Sequence, residues 1–445
     1  MPSEAQARIF INKQLEEVGW DLTDHNNVQL EEHITDTGFA DYVLKNRQGH
    51  PIAVVEAKKE TKDPRLADSQ TKNYAVSLNT PFLFLANGEK TYFWEYEREA
   101  FPSQVKTFFS QRELELKFAS YSLRKKIDTI PIDGRIVERD YAKECIEVLS
   151  NKIDEGTNKL LVEMATGTGK TRLAAAFIKR LFKANRINKV LFICDRITLA
   201  KQTEDTFTDF LPDYSCYVLN AGGFKHEKQI TISTLQTMIR SYSQLNSGYY
   251  DLIFIDECHR SIYGKYRNSL DHFHAIKIGL TATPCTSNEE TSSDEDKSFV
   301  RDTMRFFEVS EPTFTYRIDR AIKEEYLLPY YTYQARTMRT SSEEGIEVKR
   351  DEIDWNILDE EGKEQLEEIF QGQDTTIFPH TWLERKITIP ERNKSIAKEF
   401  REVIDNGYTD NNGQKHLPLE GKTIVFAVTK NHAVTLAKML DDEFQ

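Results

Sequence analysis

The stretch KLLVEMATGTGKTRL at residues 159–173 determines the fold class of this chain. An apolar strand at 159–163 runs into a glycine-rich turn, and a helix is predicted over 171–182. Glycine lets the backbone curl so that successive N–H groups point at phosphate oxygens, and the helix N-terminus adds positive partial charge. The spacing is that of a phosphate-binding loop, although Met164 stands where the strict pattern has glycine.

The same strand-then-helix pattern repeats around this loop, which predicts a parallel sheet with crossover helices. Apolar runs typical of strands covered on both faces occur at 159–163, 189–194, 229–233, 250–255 and 276–280. The predicted class is therefore α/β, with a nucleotide site at the carboxyl ends of the strands.

An acidic pair follows the fourth of these strands, where Asp256 and Glu257 begin the sequence DECH. Asp256 is expected to hold the water shell of Mg²⁺, and Glu257 to orient or deprotonate the attacking water. A helix cap is the alternative for such a pair, but the segment 281–284 (TATP) after the next strand argues against it. Its two hydroxyls suit a hydrogen-bond relay between the nucleotide and the nucleic acid.

Lys170 is expected to reach the β- and γ-phosphates of ATP, and the Thr171 hydroxyl to bind Mg²⁺ together with Asp256. The full set of residues predicted to contact the nucleotide is Thr166, Gly167, Thr168, Gly169, Lys170, Thr171 and Asp256. A glycine-rich turn with no ligand is the alternative, and the strand–loop–helix context argues against it.

The first 100 residues predict a separate small α/β unit with a helix at 4–18 and another at 64–78. The predicted strands are 38–46, 51–58, 81–86 and 91–96. Residues 100–130 are rich in Lys and Arg and are interpreted as a linker packed along a groove.

Two carboxylates and a lysine are predicted to meet on the first hairpin of this unit. A two-residue turn centred between Gln48 and Gly49 places Asp41 opposite Glu56, with Cβ atoms about 5 Å apart. Lys58 lies two positions beyond Glu56 and so shares its face. Like charges this close favour a bound cation, and hard oxygen ligands favour Mg²⁺. Asp41 and Glu56 are therefore predicted metal ligands.

This arrangement resembles the D…ExK site of the PD-(D/E)xK nucleases, and Gln70 and Tyr74 match the Q-x-x-x-Y motif of the RecB-like branch. The two lie at i and i+4 on the predicted helix, where they are expected to touch the DNA phosphate near the metal. Glu4 is a further candidate acid. An exposed strand with alternating Glu and Lys is the alternative, and the apolar run before Glu56 argues against it.

The motifs at 164–171, 256–259 and 281–284 resemble those of superfamily 2 helicases. Segments 195–202 and 232–237 resemble the accessory motifs that contact the nucleic-acid backbone in that family, with Arg196 and Gln202 as candidates. Solvated surface residues are the alternative for these two. The chain departs from the family at Ala142, where a glutamine that reads adenine is common. The arginine finger of the family lies beyond Gln445, which predicts weak ATP hydrolysis by this span alone.

A nuclease unit followed by a motor resembles the restriction (R, or HsdR) subunit of type I restriction enzymes, as does HRSIY at 259–263. The resemblance implies an ATP-dependent translocase and endonuclease that cuts double-stranded DNA with Mg²⁺. It implies partner methyltransferase (M) and specificity (S) subunits, which would be the only route to S-adenosylmethionine. A motor whose N-terminal domain only docks, an RNA helicase or sensor, and a nucleotide-gated scaffold are the alternatives.

The expected organisation is a PD-(D/E)xK nuclease domain with its basic linker at 1–130, a first RecA-like motor domain at 131–310, and the start of a truncated second one at 311–445. Residues 286–311 are polar and acidic and predict a loop. In the second motor domain the pattern predicts helices at 394–404 and 431–440 and a strand at 422–428. The net charge of −13 argues against nonspecific coating of nucleic acid but leaves local basic grooves open. No apolar run approaches the roughly 18 residues of a membrane span, and the N-terminus lacks a signal-peptide pattern, which predicts a cytoplasmic protein with no membrane partner. The scattered cysteines argue against a zinc site or disulfides.

Overall fold

A computed structural model gives the fold of the chain. It describes residues 4–34, 38–59, 63, 65, 68–260, 265–285, 303–330, 332–333, 346–358, 360–410, 413–418 and 421–444. The chain divides into two compact units, Met1–Leu328 and Pro329–Gln445. The first unit contains both of the sheets on which the predicted sites lie.

The N-terminal sheet has six strands in the order β1 to β6. They are β1 Val28–Ile34, β2 Gly38–Lys45, β3 Pro51–Ala57, β4 Phe82–Ala86, β5 Thr91–Glu95 and β6 Ser103–Val105. Neighbouring strands are antiparallel except β3 and β4, which are parallel. Helix α1 (Glu4–Glu17) contributes Ile11 and Leu15 to one apolar cluster, while α2 (Asp68–Ser77) contributes Tyr74 and Ala75 to another, so both faces of the sheet are covered.

The segment interpreted as a basic linker instead contains strand β6 and helix α3 (Gln111–Leu123). A capping box starts the helix, because the Ser110 side chain accepts from the Glu113 N–H and the Glu113 carboxylate accepts from the Ser110 N–H. Two basic residues of this segment form ion pairs, Lys117 with Asp251 and Arg124 with Glu95. Arg112 and Lys117 also line a cavity together with Tyr249. The prediction of a linker was wrong, because this segment forms a strand and a capped helix. The prediction rested on the number of basic residues and did not consider the capping residues Ser110 and Glu113.

The second sheet has seven strands in the order β13-β7-β12-β11-β8-β10-β9, with every neighbouring pair parallel. The strands are β7 Lys159–Met164, β8 Val190–Cys194, β9 Cys216–Val218, β10 Ile230–Thr234, β11 Leu252–Asp256, β12 Ile276–Thr281 and β13 Phe314–Tyr316. The helices are α4 Asp140–Asp154, α5 Lys170–Lys183, α6 Ile197–Phe210, α7 Leu235–Ser241, α8 Lys265–Asp271, α9 Thr303–Phe307 and α10 Ile318–Lys323. Apolar clusters cover both faces, which confirms the α/β class and the five predicted strands.

Two predicted boundaries in this region need correction. Strand β13 pairs with β7, so the sheet continues past residue 310, where the first motor domain was expected to end. The acidic loop expected at 286–311 lies outside the described residues up to 302, and 303–307 is helical.

The two sheets of the first unit meet through side chains at the start of β12 and the end of β5. His274 packs edge-on against Phe93, with 4.9 Å between ring centroids, and its Nε2 lies 3.3 Å from Glu99 Oε1. Asn158 Nδ2 donates to the same carboxylate at 3.0 Å. Because residues 158 and 274 directly precede parallel strands, this contact lies at the edge of the sheet opposite the phosphate-binding loop.

The second unit contains two small two-stranded antiparallel sheets and three α-helices in its described residues. The strands are β14 Ile346–Lys349, β15 Thr375–Phe378, β16 Tyr408–Thr409 and β17 Lys415–His416, and the helices are α11 Glu360–Phe370, α12 Pro390–Asn406 and α13 Lys430–Phe444. The helices predicted near 394–404 and 431–440 are confirmed. The strand predicted at 422–428 is wrong: the segment is irregular, and Phe426 is 90% exposed. In the described part of the chain, no helix is long and apolar enough to cross a membrane.

Candidate functional site

The phosphate-binding loop joins β7 to α5 and has the backbone shape that its glycines allow. Gly167 and Gly169 adopt φ values of +84° and +90°, in the left-handed region that favours glycine, and Gly169 caps helix α5. The Thr168 hydroxyl donates to the Ala165 carbonyl at 2.6 Å. Thr166 and Gly167 are exposed, while Thr168 is buried. The loop therefore presents the start of an α-helix to an incoming anion.

A row of polar contacts connects this loop to the two neighbouring strand ends. Lys170 Nζ donates to Glu257 Oε1 at 2.9 Å. His259 Nδ1 lies 3.4 Å from Glu257 Oε2 and 2.8 Å from Thr281 Oγ1. The sequence predicted that the three motifs converge but did not select His259, which is the side chain that joins Glu257 to Thr281.

Asp256 ends strand β11 beside this row. Burial raises the pKa of its carboxyl group to about 6, an effect that nearby Lys170 opposes and Glu257 reinforces. Glu257 has φ +49°, a backbone conformation that non-glycine residues rarely adopt, so its side chain diverges from the regular strand direction. A half-buried carboxylate at a strand end next to a lysine is chemically suited to share a divalent cation with phosphate oxygens. Thr171 at the start of α5 can supply a hydroxyl.

Two tyrosines pack next to the phosphate-binding loop, and the sequence did not predict a role for them in this site. The Tyr141 hydroxyl donates to the Thr168 carbonyl, and its ring stacks on Tyr316 with 3.8 Å between centroids. Arg139 Nη1 donates to the Tyr141 hydroxyl at 2.8 Å. Ala142, where the superfamily often has glutamine, is buried in helix α4.

The hairpin of β2 and β3 has the predicted register but a different turn. Tyr42 pairs with Val55 and Val43 with Val54, which continues to Asp41 opposite Glu56. The loop has three residues rather than two, since Asn46 N–H donates to the His50 carbonyl, and Gly49 has φ +80°. A register shift between Leu44 and Lys45 restores the predicted pairing. The two departures cancel, because each moves the alignment by one residue in the opposite sense.

The predicted carboxylates lie together at the end of this hairpin. Asp41 Oδ2 accepts from the Ala57 N–H at 2.7 Å, next to Glu56. Lys58 Nζ donates to Glu56 Oε1 at 2.7 Å. Asp41 and Glu56 are 9% and 4% exposed. The structure thus brings the two acids and the lysine to one place on the sheet.

The chemistry of this donor set fits Mg²⁺. In proteins Mg²⁺ usually takes one or two carboxylates and completes its shell with water and phosphate oxygens. Asp41 and Glu56 supply two such carboxylates from adjacent strands. Among the described residues there is no group of three or more His, Cys, Asp or Glu side chains that could hold a metal ion, so any cation here would depend on that pair plus water or substrate.

The Q-x-x-x-Y residues have different outcomes. Tyr74 is 1% exposed and packs with Ala40, Val43 and Val54. The prediction that its side chain touches a DNA phosphate is therefore wrong for this structure. Its role here is to pack helix α2 on the sheet. The Gln70 backbone belongs to α2, whereas its side chain lies outside the described residues, as does that of Glu4.

The accessory segments differ in exposure. Arg196 and Gln202 are exposed at and near the start of α6, as a nucleic-acid contact would require. The Thr234 hydroxyl accepts from the Thr237 N–H at 3.3 Å and so caps helix α7, which is a structural use of a residue expected to touch the backbone of the nucleic acid.

Known proteins similar to this chain include restriction enzyme subunits. Residues 135–286, which include the phosphate-binding loop and strands β7 to β12, match the model of the family described as type III restriction enzyme, res subunit. The chain is 28% identical over 425 residues to the type I restriction enzyme EcoAI endonuclease subunit of Escherichia coli, covering 90% of this chain. Over most of its length the chain is therefore similar to type I restriction endonuclease subunits. It is also 25% identical over 337 residues to the EcoKI endonuclease subunit of Escherichia coli strain K12, covering 69% of this chain.

The chain spans about half the length of the first of these relatives, 47%, and 26% of the second. Among solved structures, a fragment assigned as an HsdR subunit of a type I restriction enzyme from Vibrio vulnificus YJ016 matches with 23% identity. That match covers 99% of this chain and 75% of the other, with a TM-score of 0.43.

Proposed function

We propose that this chain is the motor and nuclease portion of a type I restriction enzyme R subunit. It would use ATP hydrolysis to move along double-stranded DNA and would cut that DNA at a separate Mg²⁺ site. The observation that carries the proposal is that one compact unit contains both constellations, Lys170 with Glu257 on one sheet and Asp41 with Glu56 and Lys58 on the other.

In the nucleotide site each residue has a task set by its position. The backbone N–H groups of 166–171 and the Lys170 ammonium would bind the phosphates. Glu257 would orient the attacking water, and Asp256 with Thr171 would hold the cation that accompanies the nucleotide. The contact of His259 with both Glu257 and Thr281 supports a link from hydrolysis to the neighbouring strand end.

In the nuclease site the two acids would hold Mg²⁺, which when bound neutralises charge on the scissile phosphate. Lys58, 2.7 Å from Glu56, would orient the attacking water or offset the charge that develops on the phosphate. Gln70, on the helix that covers this face, would contact the DNA backbone. We place the nuclease domain at 1–130 and the motor from 131 onward.

The proposed partners come from the resemblance to type I R subunits. We propose that the chain works with methyltransferase and specificity subunits in the cytoplasm, and that S-adenosylmethionine acts only through those subunits. The R subunit itself would need only ATP and Mg²⁺.

The test uses the full-length subunit, assembled with its methyltransferase and specificity partners, on double-stranded DNA with Mg²⁺ and ATP. Asp41→Asn should abolish cleavage and leave ATP hydrolysis intact, whereas Lys170→Ala should abolish both. Lys183→Ala, on the exposed side of α5, and Glu16→Gln, on the exposed side of α1, are matched controls that should behave as the unmodified enzyme.

Undiminished cleavage by Asp41→Asn would leave the N-terminal domain as a docking module and refute the nuclease assignment. Stimulation of ATP hydrolysis by RNA but not by duplex DNA would favour an RNA helicase. Normal function of Lys170→Ala without any ATP binding would favour a scaffold.

A further inference from the structure

Arg8 on helix α1 contacts the candidate nuclease site, although the sequence pattern gave no reason to select it. Its Nη2 donates to Asp41 Oδ1, and its Nη1 donates to Glu31 Oε1 at 2.7 Å. The Arg8 side chain is 32% exposed, that of Asp41 is 10% exposed and that of Glu31 is 67% exposed. One guanidinium group thus connects a buried carboxylate with a solvent-exposed one.

Glu31 stands beside Asp41 because of the register of β1 and β2. The pairs Leu30–Tyr42 and Glu32–Ala40 flank these two residues on the ladder. Glu31 has φ +50°, a conformation that is rare for residues other than glycine. Asp41 in turn lies opposite Glu56 on β3, so the three acids occupy one row across neighbouring strands.

Arg8 and a divalent cation require the same carboxylate. Asp41 Oδ2 already accepts from the Ala57 N–H, and Oδ1 accepts from Arg8. A cation bound by Asp41 and Glu56 would lie close to the guanidinium group and be repelled by it. Glu31 offers that group a second, exposed acceptor, which lets Arg8 move off Asp41 without losing every ionic partner.

We propose that Arg8 is a positioning residue that competes with the divalent cation for Asp41, and that Glu31 retains Arg8 when the cation binds. The inference rests on the proposed nuclease function and concerns the regulation of that site. In this arrangement Arg8 and Lys58 offset the charges of Asp41 and Glu56 until a cation binds. Cation binding then replaces Arg8 as a partner of Asp41.

The exchange predicts opposite effects for two neighbouring substitutions. Arg8→Ala removes the competitor and should tighten cation binding about tenfold, the effect of losing one charge-assisted hydrogen bond. Glu31→Gln weakens the alternative partner of Arg8 and should loosen cation binding by roughly two- to fivefold, as expected for a mostly exposed ion pair. The double variant should match Arg8→Ala, because Glu31 acts only through Arg8.

The experiment measures Mn²⁺ binding to this chain by electron paramagnetic resonance, without nucleotide or DNA. Mn²⁺ is the probe because it accepts the same oxygen ligands as Mg²⁺. The site in question is the one lost in Asp41→Asn. Lys13→Ala is the matched control: it removes one positive charge from the same helix, where Lys13 Nζ lies 3.9 Å from Glu17 Oε1 on the exposed side, and should leave binding unchanged. Arg8→Lys should give an intermediate affinity and guards against misfolding of Arg8→Ala.

Weaker or unchanged Mn²⁺ binding in both Arg8→Ala and Arg8→Lys would overturn the exchange. So would a Glu31→Gln effect that persists in the double variant, because it would make Glu31 a direct ligand. A chain with no Asp41-dependent Mn²⁺ site would remove the proposed nuclease function and the exchange together. An intact Asp41-dependent site that ignores Arg8 removes the exchange alone.

Discussion

Replacing Glu99 with Gln should weaken the contact that holds the N-terminal sheet against the motor sheet. Glu99 is 6% exposed, and its carboxylate receives His274 Nε2 at 3.3 Å and Asn158 Nδ2 at 3.0 Å. The amide of glutamine can still accept from Asn158 but carries no charge for His274 to approach.

The expected magnitude follows from the pKa of Glu99. Burial alone would raise it, but the charge and hydrogen bond of His274, helped by Arg98, outweigh burial and lower the pKa from 4.5 to about 2. At about 1.4 kcal/mol for each tenfold change in proton affinity, this corresponds to roughly 3 kcal/mol. A carboxyl group whose pKa falls on folding stabilises the fold fully above 4.5, and that stabilisation is lost as the pH drops through about 2.

The assay is urea unfolding of this chain at pH 5.5, above the ordinary pKa of a glutamate and below that of a histidine, together with hydrogen exchange of the segments around residues 99 and 158. Glu99→Gln should lower the free energy of unfolding by about 2–3 kcal/mol and raise exchange in both segments. Glu89→Gln, on an exposed turn of the same sheet, should change neither. If Glu99→Gln is as stable as Glu89→Gln, the ion pair does not join the two sheets.

Three further substitutions have defined outcomes. Lys277→Met should stabilise the fold by up to about 3 kcal/mol at pH 7, because burial lowers the pKa of Lys277 to about 8. This gain in stability should shrink as the pH rises from 8 towards 10.5, which urea unfolding at several pH values would measure. Thr281→Val should leave ATP binding intact but reduce DNA-stimulated ATP hydrolysis about tenfold in a steady-state assay, since it removes the hydroxyl 2.8 Å from His259. Tyr74→Ala should lower the free energy of unfolding by about 3–5 kcal/mol in urea, and a smaller loss than 1 kcal/mol would contradict its place in the core.

The motor sheet could be predicted because buried parallel strands are apolar runs that end where glycine, acid or hydroxyl motifs begin. Strand β1 was missed because VQLEEHI alternates poorly and includes two acids. The segment 422–428 has strong β propensity, but a strand also needs a hydrogen-bonded neighbour, and this segment has none among the described residues. The β propensity of the sequence therefore predicted the buried sheet correctly. It failed for the segment 422–428, where strand formation depends on a hydrogen-bonded neighbour.

At the candidate sites, spacing along the chain predicted the pairs that lie on one strand or one hairpin. Glu56 with Lys58 and Asp41 opposite Glu56 follow from a period of two and a known register. Arg8, His259 and His274 reach their partners from other elements, so no local spacing could reveal them. Tyr74 shows the converse case, since a helical face predicted from i and i+4 can face the core as well as a ligand.

The most direct test of two separate metal centres is a crystal structure of this chain grown with Mn²⁺ and a non-hydrolysable ATP analogue, with anomalous scattering recorded for manganese. We predict one peak within coordination distance of both the Asp41 and Glu56 carboxylates, and a second beside Asp256 and Thr171. A single peak at the nucleotide, with Asp41 still bound to Arg8 at saturating Mn²⁺, would contradict the nuclease half of the account.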